Sequence, residues 1–260
     1  MGDWVDIEEA IRSSGLRIVL TPGVPGPYSE AAKGILHVKK LPYLKAKQEI
    51  LGANIALHRW TGQTTAPVAA WNDEPPRVTW IEQLALFERL APEPRLIPAD
   101  WDERTTMFGL AQEIFGEGGW VWNRRFLQVR DWSTPARPEE IRLPFVTLGR
   151  KYRFTPEGIA KAPARCAEIM GRLAARLEAQ QALGSRYLVG SSLTAVDIYW
   201  AVSVGMVKPL PQEVCDMGPL FRDVYTVEDP VIEKAAVPVL MKHRDFIYER
   251  HLELPIDLKT

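Results

Sequence analysis

The rhythm of apolar and polar positions changes along the chain. Residues 16–20 (Leu-Arg-Ile-Val-Leu) are apolar with one charge. They lie between Gly15 and the turn-rich run Thr21-Pro22-Gly23-Val24-Pro25-Gly26-Pro27, which predicts a short buried strand entering a loop. A helix follows, with Ser29 as its cap, Glu30 near the positive end of its dipole, and Ala31, Ile35 and Val38 on its buried face. Pro42 stops it, and residues 44–48 alternate as a half-buried strand does. A short helix around 55–60, a strand over 67–71, a turn over 72–76 and a brief strand over 77–79 come next. Trp80, Leu84, Phe87 and Ala91 then recur at helical spacing.

Residues 91–98 hold Pro92, Pro94 and Pro98 and read as a linker. Beyond them the pattern is helical. One helix covers 101–115 and runs on through Gly116, Gly118 and Gly119 towards Trp122. Residues 130–143 are charged and proline-interrupted, hence a loop. A long amphipathic helix covers 155–183, with Cys166, Met170, Leu173 and Leu177 on one stripe. Another starts at Thr194 and buries Val196, Trp200 and Val204, and a last one spans 237–252. The expected division is an extension over 1–15, an α/β domain over 16–91, a linker over 92–100 and an all-α domain over 101–260.

Composition narrows the chemistry. Of 260 residues, 46% are apolar and 25% charged, enough to bury a full core and too apolar for disorder. Lys and Arg number 32 and Asp and Glu 33, so the net charge of -1 gives no general attraction to nucleic acid or an anionic membrane. No run is long and apolar enough to span a membrane. Asp3, Asp6, Glu8 and Glu9 stand where a secretory leader would carry positive charge, and two cysteines cannot build a disulfide framework, so a cytoplasmic setting is expected. His37, His58, His243 and His251 lack metal-ligand spacing, and no phosphate-loop, dinucleotide or nucleophile-elbow motif occurs.

One segment combines a physical and a family reading. In Leu188-Val189-Gly190-Ser191-Ser192-Leu193-Thr194-Ala195-Val196-Asp197, Thr194 and Asp197 form a capping box, a folding device. The same segment resembles the capping-box region of the cytosolic glutathione transferase superfamily. Ala66-Pro67-Val68 resembles that family's Val-Pro-Val, in which the proline is cis and opens the third strand. The resemblance spans roughly residues 16–250 and implies a thioredoxin-like domain, a linker and an all-helical domain.

The resemblance also implies a site. Glutathione would be the co-substrate, paired with the backbone of Ala66 before Pro67. Its γ-glutamyl end would lie at Val78-Thr79, where the family carries an acid and a serine; the alternative register is Trp80-Ile81. Thr79 keeps a hydroxyl, caps the helix from Trp80 and leaves its N–H groups for a carboxylate, whereas Val78 lacks the acid. The family's Ser or Cys before Pro-aromatic falls on Gly26-Pro27-Tyr28, and Gly26 has no side chain. Tyr28 and Ser29 are the substitutes for thiol activation, against plain readings as a packing aromatic and a cap. Cys166 and Cys215 lie in the expected helical domain, away from this loop. Trp120, Trp122 and Arg124 would line a second pocket for a small hydrophobic electrophile, against readings as core aromatics and a solvated cation.

Three functions follow from these expectations. The first is a homodimeric glutathione transferase whose bound thiolate attacks an electrophile. The second is a binding or interaction module of the same fold without catalysis, favoured by Gly26 and Val78. The third is an enzyme of that fold using another thiol or none.

Overall fold

The computed structural model describes residues 4–50 and 52–259. Residues 1–3 of the expected extension lie outside the described part. The chain divides into two compact units.

The first unit takes the described residues up to Leu96, together with Pro211–Gly218 and the described residues from His251 onward. Its elements run β1 (Trp4–Val5), α1 (Ile7–Arg12), β2 (Leu16–Leu20), α2 (Pro27–Val38), β3 (Leu44–Lys47), α3 (Ile55–Thr61), β4 (Val68–Trp71) and α4 (Trp80–Leu90). The sheet order is β1-β3-β2-β4, with β1 and β2 parallel to β3 and β4 antiparallel to β2. Central β2 is buried throughout, which explains its apolar run. Its one charge, Arg17, donates to the carbonyls of Ala10, Gly15 and Asn72 and lies over the Trp60 ring. Ile7, Ala10, Val19, Ala46, Leu57 and Val68 form a core cluster.

Several expectations are corrected here. The extension from residue 4 is not separate: β1 joins the sheet and α1 puts Ile7 and Ala10 into the core. The brief strand over 77–79 is a single bridge from Arg77 to Ala69. The expected helical domain over 101–260 gives up two stretches, since residues 211–218 and those from His251 group with the first unit.

The second unit takes Ile97–Leu210 and Pro219–Arg250. It carries α5 (Trp101–Phe115), α6 (Trp120–Trp132), α7 (Glu139–Lys151), α8 (Pro156–Ala182), α9 (Ala195–Ser203), α10 (Pro219–Tyr225), α11 (Pro230–Ala235) and α12 (Pro238–His251). The glycines after Phe115 end α5 rather than extend it. Gly118 has φ +74°, and a Cβ at Gly119 would fall 2.7 Å from the Glu113 carbonyl. The expected loop over 130–143 is instead the end of α6, a short connection and the start of α7. Phe145, Leu148 and Tyr152 recur at helical spacing, and Pro144 is accommodated inside the helix. Thr194 and Asp197 form the expected capping box. Trp120 meets Trp200 edge-on at 5.5 Å between ring centres.

Candidate functional site

In the first unit the loop from β2 delivers the chain to α2, whose N-cap is Gly26 with φ -62° and ψ 126°. The helix therefore starts at Pro27, two residues before the expected cap. Ser29 sits in the first turn, 4% exposed, and Tyr28 is half-buried. Proline at the first helical position explains the earlier start, because its φ is preset and its missing N–H has no helical partner to lose. Among the described residues no side chain caps this helix. Neither φ nor space demands glycine at 26, since a Cβ there would meet nothing within 4 Å.

Behind this loop stands a residue the sequence reading passed over. Gln48, buried after β3, shares a 2.7 Å hydrogen bond with the Thr21 hydroxyl; its amide nitrogen donates to the Glu49 and Thr64 carbonyls. It thus ties the first loop to the run before Ala66-Pro67. Its position ends an alternating strand, and only its partners distinguish it from a solvent-facing glutamine.

The bond between Ala66 and Pro67 is cis. Gln83, buried on α4, donates to the carbonyls of Pro67 and Arg77, each at 3.2 Å. Ala66 and Val78 pack against the same core cluster. Ala66, Pro67, Val78 and Thr79 are accordingly gathered around the start of β4 and of α4.

Thr79 caps α4, as expected, but the N–H groups of Val78, Thr79 and Glu82 are already engaged within the chain. Oε2 of Glu82 accepts from the Val78 N–H at 3.2 Å, the Thr79 N–H at 3.0 Å and the Thr79 hydroxyl at 2.8 Å. Partial burial opposes ionisation of Glu82, yet the Thr79 hydroxyl, the two backbone donors and Arg77 outweigh it and hold its carboxyl below the usual range. An acid therefore stands beside Val78 after all, delivered from the helix rather than from the strand.

A buried charge cluster lies along α2. Lys33 Nζ is 3.0 Å from both carboxylate oxygens of Glu30. Burial pushes the Glu30 carboxyl up, Lys33 opposes that, and Asp257 and Glu253 reinforce it. Tyr43 is raised by burial and by the same three acids. A raised carboxyl means that the folded chain holds the proton above the pH at which the unfolded chain has released it. Stability from this group is therefore present at low pH and lost as pH rises through the folded value. Glu30→Gln should accordingly gain on the wild type as pH rises, which urea midpoints at about pH 5 and about pH 8 check.

The expected second pocket is not assembled by its three residues. Trp120 is fully buried against Trp200, and its indole N–H has no hydrogen-bond partner among the described residues. Arg124, 3% exposed, donates to the carbonyls of Met206, Val224 and Thr226, and burial pushes its guanidinium down to about 10. Trp122 lies half-buried against Tyr152 at 4.7 Å. Positions 120 and 124 share one face of α6 and 122 points elsewhere, so these side chains build helix packing. Both cysteines are buried, and burial pushes the Cys166 thiol up to about 12. Cys215 belongs to the first unit rather than to the helical one where it was expected. Among the described residues no group of His, Cys, Asp and Glu could hold a metal ion, and no helix is long and apolar enough to cross a membrane.

No protein-family profile and no curated protein sequence matches the chain. Solved structures do. A glutathione S-transferase from Methylobacterium radiotolerans, in complex with glutathione sulfonate, aligns at 18% identity over 91% of this chain and 92% of its own, with a TM-score of 0.62. One from Methylobacillus flagellatus with glutathione bound aligns at 14% identity over 91% and 96%, TM-score 0.63. Ure2p in complex with glutathione aligns at 12% identity over 88% and 98%, TM-score 0.56.

Proposed function

We propose that this chain, which has the fold of the glutathione S-transferases with a thioredoxin-like domain and a helical domain, binds glutathione in its first unit and directs the thiolate at a small hydrophobic electrophile. The observation that carries this reading is the extent of the likeness. Nine-tenths of the chain follows a transferase solved with a glutathione analogue. Fold alone does not set function, so the reading is tested on the site.

In this reading the backbone of Ala66 pairs with the cysteinyl part of the tripeptide and Thr79 faces its γ-glutamyl end. The thiolate sits over the N-terminus of α2. With Gly26 contributing no side chain, its activation falls to the first-turn N–H groups and the helix dipole, assisted by the Tyr28 or Ser29 hydroxyl. Deprotonation and orientation of the thiol are what the protein supplies, the proton passing to solvent; sulfur then bonds to the electrophilic carbon as the leaving group, a halide in an aryl halide, departs with its electron pair. The working form is a homodimer, and monomeric light scattering would refute that part.

Turnover of a chromogenic aryl halide that depends on reduced glutathione tests the catalytic claim. Unchanged rates in both Tyr28→Phe and Ser29→Ala would assign activation to the backbone alone. Binding without turnover would establish the second reading, a non-catalytic binding module, which Gly26 favours because it brings no side chain to activate a thiol. Glu82 gives a sharper expectation. Its carboxylate occupies the donors a ligand carboxylate would use, so Glu82→Ala should tighten glutathione by about tenfold, measured by calorimetry, while weakening the α4 cap by roughly 1 kcal/mol.

A further inference from the structure

Residues 256–259 in the first unit are held by an unusual set of partners. The Ile256 N–H donates to the Val214 carbonyl at 2.8 Å. The next three carbonyls each accept from a different element. Asp257 takes Lys33 Nζ of α2 at 2.7 Å, Leu258 takes the Gly23 N–H of the first loop at 2.8 Å, and Lys259 takes the Trp4 indole N–H of β1 at 2.7 Å. The Asp257 carboxylate pairs with Lys45 of β3 at 2.7 Å, and Lys45 also lies over the Trp4 ring. Ile256 and Leu258 turn their side chains inward, 9% and 4% exposed.

Two shielded ion pairs, Glu30–Lys33 on α2 and Asp257–Lys45 between this stretch and β3, are joined where Lys33 also donates to the Asp257 backbone carbonyl. Removing one partner of either pair leaves the other charge buried and uncompensated, so the two pairs and the Lys33 contact together specify one placement of the stretch. That placement reaches the first loop at Gly23, three residues before the N-cap Gly26. Gly23 itself has φ +75° and is exposed, between Thr21, tied to Gln48, and the buried Val24 and Pro25, so the Leu258 carbonyl holds the exposed turn of the loop.

We infer that residues 256–259 are a strap that sets the conformation of the first loop, with Asp257 as a positioning residue for the site at Gly26, Tyr28 and Ser29. Its bearing on the ligand rests on the glutathione reading; its hold on the loop does not. Occupancy of the strap then decides whether the loop presents the N-terminus of α2 in one geometry or several.

Amide hydrogen exchange of the full chain tests this directly. In Asp257→Ala the Gly23 amide should exchange about tenfold faster while amides of β2 keep wild-type rates, and glutathione should bind more weakly. The double variant Glu30→Gln/Lys33→Met removes a second anchor without leaving a buried unpaired carboxylate, and should give the same local change even if Asp257→Ala folds poorly. Exchange that is unchanged at Gly23, or raised equally in β2, would overturn the strap. Selective exchange with unaltered glutathione affinity would overturn the positioning role. Absence of glutathione binding in the wild type would defeat the functional reading instead, and exchange alone would then decide the strap.

Discussion

Asp197→Ala is expected to destabilise the helical unit by about 3–5 kcal/mol, the range for removing one partner from a buried charged network. The side chain is fully buried, and its two oxygens accept four hydrogen bonds. Oδ1 takes the Leu188 N–H at 2.7 Å and His243 Nε2 at 3.0 Å; Oδ2 takes the Thr194 N–H at 2.9 Å and its hydroxyl at 2.8 Å. Alanine leaves two buried backbone donors and an imidazole without this acceptor, which is why the effect exceeds that of an ordinary cap. Asp197→Asn keeps one oxygen and should lose less. Urea unfolding measures both, and a loss under about 1 kcal/mol for alanine would show that water reaches these donors.

Gly26→Cys should create the most reactive thiol in the chain. The backbone at 26 is extended, a Cβ there is unobstructed, and the residue caps a 12-residue helix that has no side-chain cap of its own. A thiolate at this point accepts from first-turn N–H groups at the positive end of the dipole, which lowers the pKa from about 8.5 to roughly 5–7. The native cysteines are buried, and Cys166 is pushed in the opposite direction. Alkylation by iodoacetamide against pH should therefore show a new, fast site titrating below neutrality. A pKa near 8.5 at position 26 would mean that the α2 terminus does not stabilise sulfur, and would remove the backbone from the proposed activation.

The same residues show what could be read without a structure. The apolar runs over 16–20 and 67–71 announced strands because their neighbours are turn-formers, and Thr194 with Asp197 announced a helix start. Thr79-Trp80-Ile81-Glu82 carries the same capping signature, so the engagement of the Thr79 donors was available in the sequence. Helix α7 was hidden by its own charges and by Pro144, although the spacing of Phe145, Leu148 and Tyr152 was present. A two-residue strand such as β1 has too little pattern to detect. The strap was beyond reach for a different reason: Lys33 and Asp257 are 224 residues apart, and nothing local to either announces the other. Arg124 and Trp120 misled because an aromatic beside an arginine looks alike whether it walls a pocket or fills a core.

Calorimetric titration of the purified full chain with reduced glutathione tests the central claim most directly. The expected result is saturable binding at one site per chain with Kd below about 1 mM, or roughly -4 kcal/mol. No heat of binding at millimolar glutathione would contradict it.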